Sequence, residues 1–211
     1  MKRRRSFRDR RAGGARLAAE LSHRSWHDPL VLGLPRGGVV VAYVVADVLG
    51  APLDVAVARK IGAPGHPEFG VGAVTSSGEP TYDGRSLRSL GLTPGDLREA
   101  CAAEKEEARR RERVYLRGRE PLPRAGRDVI LVDDGLATGV TARAAARMLR
   151  RDRPRSLTFA APVCAPEAAI GLKAEVDDVV CVLRPERFRA VGEWYADFGQ
   201  TTDEEVIDLL Q

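Results

Sequence analysis

Asp128-Val-Ile-Leu-Val-Asp-Asp-Gly-Leu-Ala-Thr-Gly-Val-Thr141 is the stretch that decides how this chain folds. A short run, apolar at every position, has no wet face and reads as a strand covered on both sides. Two adjacent carboxylates, Asp133 and Asp134, end it, and a Gly/Thr loop leads into a helix over residues 139–151. Exposed loop amides at a helix start favour anions, so Gly135, Leu136, Ala137, Thr138, Gly139 and Thr141 form a candidate phosphate cradle. Thr138 and Thr141 add hydroxyl donors, while Gly135 and Gly139 let the backbone come close. Asp133 and Asp134 can accept hydrogen bonds from vicinal hydroxyls beside that phosphate, and a phosphate next to a diol is a ribose 5-phosphate. A strand ending in two aspartates could also serve only to cap the helix. The loop lacks the Gly-Lys-Ser/Thr of a P-loop, and neither it nor residues 33–38 matches GxGxxG.

Outward from this segment, apolar β-rich stretches alternate with helical ones, the mark of an α/β protein with a mostly parallel sheet. Strands are expected at 30–34, 53–59, 70–75, 128–132, 157–163 and 179–183. Residues 38–49 carry six valines but follow a Gly-Gly break and must cross between two strands, so they read as a helix. A helix opens at Thr93-Pro-Gly-Asp and runs to about Leu116, with Glu106/Arg110 and Glu107/Arg111 at i,i+4. Its apolar stripe (Leu97, Cys101, Ala108, Tyr115) is thin, which places it on the surface. A shorter helix follows at 166–174. The glycines and prolines of 61–72 argue against regular structure there.

The 211 residues, 44% apolar and 30% charged, suit one domain and exclude wholesale disorder. The longest apolar run, residues 39–46, stops at Asp47, so no transmembrane helix is expected. Charge is uneven: residues 1–24 carry a net +7 and the remainder a net −3. The division expected is a basic arm, 1–24, and a single domain, 25–211. Cys101, Cys164 and Cys181 are scattered and odd in number, suggesting neither disulfides nor a zinc framework and therefore a reducing, cytoplasmic setting.

Segment 129–141 resembles the thirteen-residue phosphoribosyl pyrophosphate (PRPP) motif of type I phosphoribosyltransferases, with every diagnostic position filled. Gly33-Leu-Pro-Arg-Gly-Gly38 is similar to that family's pyrophosphate loop. The resemblance implies that Pro35, Arg36, Gly37 and Gly38 hold the diphosphate, with a Pro35–Arg36 peptide that is cis or otherwise strained. It places 61–72 as the mobile catalytic loop, with Lys60 at its base. It also makes residues 184–211 a small C-terminal hood, where Trp194, Tyr195 and Phe198 could stack on a flat base or simply form local core. One departure stands out. Hypoxanthine/guanine enzymes carry an aspartate before the loop's Thr-Gly, and this chain has Ala137. His23, His27 and His66 offer no assignable general base in its place.

The implied activity is a Mg²⁺-dependent phosphoribosyltransferase acting on PRPP and a small nitrogenous acceptor. Asp133 and Asp134 would reach the metal directly or through water, and Arg36 and Lys60 would serve catalysis. Homo-oligomers are compatible with this reading, and a membrane partner is not expected. The alternative is a regulator that senses PRPP or a nucleotide and binds RNA or DNA through its basic arm.

Overall fold

The computed structural model describes residues 7–211, apart from the side chains at 67 and 68. In chain order the elements are α1 (Arg10–Ser22), β1 (Leu30–Gly33), α2 (Gly37–Leu49), β2 (Leu53–Val55), β3 (Ala58–Ala63), β4 (His66–Thr75), β5 (Thr81–Tyr82) and α3 (Gly84–Leu90). Then come α4 (Arg98–Leu116), β6 (Asp128–Val132), α5 (Val140–Arg151), β7 (Ser156–Val163), α6 (Pro166–Leu172), β8 (Asp178–Leu183) and α7 (Asp203–Leu209). Two 3-10 turns, Pro94–Leu97 and Val191–Trp194, complete the list.

Strand β6 is apolar from Val129 to Val132 because it lies in mid-sheet with helices on both faces. The five-stranded sheet runs β2-β1-β6-β7-β8, all parallel, with Val132 opposite both Gly33 and Ala160. Alternate residues of β6 face opposite cores. Ile130 and Val132 pack with Leu17 and Leu21 of α1 and Val41 and Val45 of α2. Val129 and Leu131 pack with Ala145 and Leu149 of α5 and Leu172 of α6. Strand order reverses between β1 and β6, and in such sheets ligands bind beyond the carboxyl ends at that point. The two candidate loops, 33–38 and 133–139, leave the sheet there side by side.

The valine-rich segment is helical as expected, because a crossover buried on the sheet outweighs β propensity. Gly50, at φ 60°, closes it with the left-handed cap that a glycine takes without cost. Elsewhere the structure corrects the sequence reading. Residues 53–59 are not one strand: β2 edges the main sheet, and β3 starts a separate three-stranded antiparallel sheet, β3-β4-β5. Residues 61–72 are not an irregular loop but most of the β3–β4 hairpin, with its turn at Gly65. Glycine marks close approach here: a Cβ on Gly70 would come within 2.7 Å of the Lys60 side chain. Ile61, Val71 and Val74 pack with Leu87 and Leu97 in a core of their own.

The basic segment is not an appendage from Phe7 onward. Asp9 caps α1 by accepting from the Ala12 amide, and Leu17, Ala18 and Leu21 are buried against the sheet and α2. Residues 1–6 of the expected arm lie outside the described residues. Cys164 and Cys181 are joined in a disulfide, because neighbouring strands bring together residues 17 apart in sequence. Cys101 is free, and cysteine spacing therefore no longer argues for a reducing compartment. On α4, Glu107 pairs with both Arg110 and Arg111, while Glu106 faces Arg109 and Arg113 instead of Arg110. No helix of the described residues is long and apolar enough to cross a membrane.

Candidate functional site

The loops after β1 and β6 touch, and the glycines make this sterically feasible. The Leu34 amide donates to the Val132 carbonyl at 2.8 Å, tying the strand ends together. A Cβ on Gly37 would lie 2.0 Å from Asp134 Oδ2, and one on Gly38 would lie 2.9 Å from Asp133 Cα. Only Gly-Gly lets the backbone start α2 against the two carboxylates. The Pro35–Arg36 peptide is cis, as the resemblance implied. Arg36 is half-buried at the start of α2, and its side chain makes no hydrogen bond or ion pair among the described residues.

The carboxylates are neighbours with different surroundings. Asp133 Oδ1 accepts from the Asp134 amide at 2.8 Å. Asp134 Oδ2 accepts from Arg10 Nε at 2.7 Å, with the two side chains only 16% and 13% exposed. Burial pushes Asp133 well above the usual carboxylate range, and the charge of Asp134 pushes it further. Burial also raises Asp134, but Arg10 opposes the rise. Such a pair gains from a nearby cation or from hydrogen-bond donors such as a diol.

Arg10 is the functional neighbour that sequence reasoning missed. It also donates to the Gly199 carbonyl at 2.6 Å, and its guanidinium sits 3.9 Å from the Phe198 ring centre. The signal was present in Asp9 as a helix cap followed by Leu17 and Leu21 at i,i+4, but the density of arginines masked it.

The expected base-stacking aromatics are mostly committed elsewhere. Tyr195 is 1% exposed, donates its hydroxyl to the Asp134 carbonyl at 2.6 Å and packs between Phe7 and Phe198. Phe198 is engaged by both Tyr195 and Arg10, and Trp194 is half-buried against the same cluster. These rings therefore brace Asp134 from behind. Lys60 stands on the exposed side of β3, its stem crossing Gly70, and is not among the residues that meet at the carboxylates.

The candidate phosphate loop is anchored at its base and open at its tip. Leu136, 2% exposed, donates its amide to the Val163 carbonyl and accepts from the Ala165 amide. A Cβ on Gly135 would strike Val191 of the hood at 2.4 Å. Ala137 and Thr138 are exposed, and Gly139, at φ 74°, turns the chain into α5. Amides and hydroxyls at such a tip suit an anion. Among the described residues, no three His, Cys, Asp or Glu side chains stand together as a metal cage. Two carboxylates, one already shared with Arg10, fit a Mg²⁺ ion that brings most of its oxygens as water and ligand phosphate.

Comparison with known proteins agrees with this geometry. The family profile described as "Phosphoribosyl transferase domain" matches residues 7–195. A Mycobacterium tuberculosis H37Rv protein, provisionally named a phosphoribosyl transferase, is 39% identical over 204 residues. That alignment covers 97% of this chain and 46% of the relative, so the chain spans about half the length of the curated relatives it matches. The crystal structure of TT1426 from Thermus thermophilus is 46% identical, with 97% of each chain covered and a TM-score of 0.81. The AQ2163 protein of Aquifex aeolicus, at 13% identity and a TM-score of 0.52 over 89% of this chain and 85% of that one, shares the fold.

Proposed function

The chain belongs to the type I phosphoribosyltransferase family, and on that premise we propose that it transfers the 5-phosphoribosyl group of PRPP to a small nitrogenous acceptor. The observation that carries this reading is the contact of the two loops, where Gly37 leaves no room for a Cβ against Asp134. A diphosphate on the first loop would thereby lie beside a ribose on the second. The 5-phosphate would rest on the tip at Ala137, Thr138, Gly139 and Thr141, and the ribose hydroxyls would donate to Asp133 and Asp134.

Bound Mg²⁺ would supply neutralising charge to the departing pyrophosphate. Arg36, unpaired among the described residues, would hold the same anion as negative charge builds on it. The β3–β4 hairpin, carrying Lys60, would shield the sugar cation from water. Arg10, Tyr195 and Phe198 would keep Asp134 in place without touching the reacting atoms.

Pyrophosphate release from PRPP, measured with Mg²⁺ against a panel of bases and amines, tests this reading. Turnover with at least one acceptor is expected, and failure to bind PRPP at all would overturn it. With Ala137 in the loop, no side chain there exchanges the proton of a 6-oxopurine. Positioned acid/base help is typically worth about 10²–10⁴-fold, so guanine and hypoxanthine are expected to be poor acceptors by that margin. Efficient use of either would refute the argument, and Ala137→Asp is the variant that raises it. The regulatory reading is weakened, because Arg10 is committed to Asp134 and residues 7–22 are built into the fold.

A further inference from the structure

Beside the phosphate loop lies a second cavity of about 480 Å³, bounded by α3, the start of α5 and α6. Its walls include Arg85, Arg88 and Arg143 together with Ala137, Thr138 and Val140. It shares Ala137 and Thr138 with the proposed 5-phosphate seat, but Asp133, Asp134, Gly139 and Thr141 do not line it, so the ribose site lies outside it. Its size falls within the range of pockets that hold small molecules.

The three arginines converge without being neutralised. The side chains of Arg85 and Arg88 make no ion pair or hydrogen bond among the described residues, and Arg143 has a buried Nε without a hydrogen-bond partner. The rest of α5 behaves differently: Arg147 donates twice to Glu175, and Arg150 donates twice to Asp177. Buried guanidinium nitrogens are ordinarily satisfied, and this one, on a side chain that lines the cavity, is not.

Two carboxylates also face the space. Asp83 is occupied as the cap of α3, accepting from both the amide and the hydroxyl of Ser86. Its carboxyl is held below the usual range first by Ser86, with Arg143 a lesser and longer-range influence. Glu167 is exposed in the first turn of α6. The balance remains positive. Guanidinium forks match the tetrahedral oxygens of a phosphate better than a lone carboxylate does.

We propose that this cavity binds the phosphate group of a second, phosphorylated small molecule, held by Arg85, Arg88 and Arg143. The ligand is either a phosphorylated acceptor or an effector that is not consumed. The inference stands on the cavity itself and does not depend on PRPP occupying the neighbouring loop.

The test is calorimetric titration of inorganic phosphate into the full chain, its Arg85→Ala/Arg88→Ala variant and its Arg143→Met variant, with PRPP titrated in parallel. Arg85 and Arg88 are exposed, so the double variant is expected to fold normally, as circular dichroism will verify. A phosphate-binding component weakened at least tenfold in both variants, with PRPP affinity within twofold of the parent, is the expected result. Unchanged phosphate binding in both variants would overturn the proposal. So would an equal loss of PRPP affinity, which would make the cavity an extension of the first site. A parent that binds phosphate here but ignores PRPP would uphold the cavity and refute the enzymatic reading. Phosphorylated candidates are then assayed for turnover: consumption identifies an acceptor, and an altered rate without consumption identifies an effector.

Discussion

Asp133 and Asp134 are adjacent in sequence, yet one is left to its neighbour's charge and the other is held by Arg10. The difference separates binding from stability. Asp133→Asn removes a charged acceptor without cutting the Arg10 link, so the fold should persist. Hydrogen bonds to charged groups are worth about 1.5–3 kcal/mol, so PRPP affinity should fall roughly tenfold to a hundredfold. A variant that binds PRPP like the parent would remove Asp133 from the diol site. Arg10→Met should instead destabilise the chain by about 2–3 kcal/mol in urea titrations, since it leaves one half-buried charge unpaired beside another. Added Mg²⁺ should recover more of that loss in the variant than it adds to the parent. The carboxylates and their loop were legible because a strand end, two acids and a Gly/Thr turn are contiguous. Arg10 was not, because its partner lies 124 residues away and no local pattern encodes that pairing.

The elements most easily misread were those whose composition and environment disagree. Glycine and proline in 61–72 suggest a loop, but Gly70 is a cross-strand contact and the hairpin rests on its own core. The six valines of α2 suggest a strand, but a crossover between parallel strands requires a helix, and topology predicted it correctly. The disulfide was invisible for a related reason, since Cys164 and Cys181 meet only once β7 and β8 pair. Charge concealed α1. Leu17 has no exposed surface, and Leu17→Ala should cost about 2–5 kcal/mol in urea unfolding. Deleting residues 2–16 would remove much of α1, so loss of nucleic-acid retention after that deletion would report unfolding. Charge reversal at exposed Arg11, with Tm unchanged, is the cleaner probe of any such binding.

Across the whole molecule, two buried phenols fasten the C-terminal segment. Tyr195 reaches the Asp134 carbonyl, and Tyr115 of α4 reaches Asp203 at the start of α7 at 2.6 Å. Burial raises both above the ordinary tyrosine value of 10, so the folded chain keeps two protons that the unfolded chain releases there. Stability should therefore hold up to about pH 10 and fall as pH climbs beyond it. Tm measured from pH 8 to 11 should show the decline, and Tyr115→Phe with Tyr195→Phe should flatten it. An unchanged slope would mean that other groups set the alkaline limit. The same closure imposes an order on biosynthesis. The Phe7 amide donates to the Trp194 carbonyl, and Arg10 grips the Gly199 carbonyl 189 residues further along. The first helix can thus dock on α2 early, but it leaves the ribosome long before these C-terminal partners exist. A nascent chain halted after β8 already has both candidate phosphate loops and the Arg10–Asp134 ion pair, yet the rings that brace Asp134 from behind are missing. Assembly of the pocket is thereby deferred until translation passes residue 199, and truncated products are expected to be inert toward PRPP even where their sheet has formed.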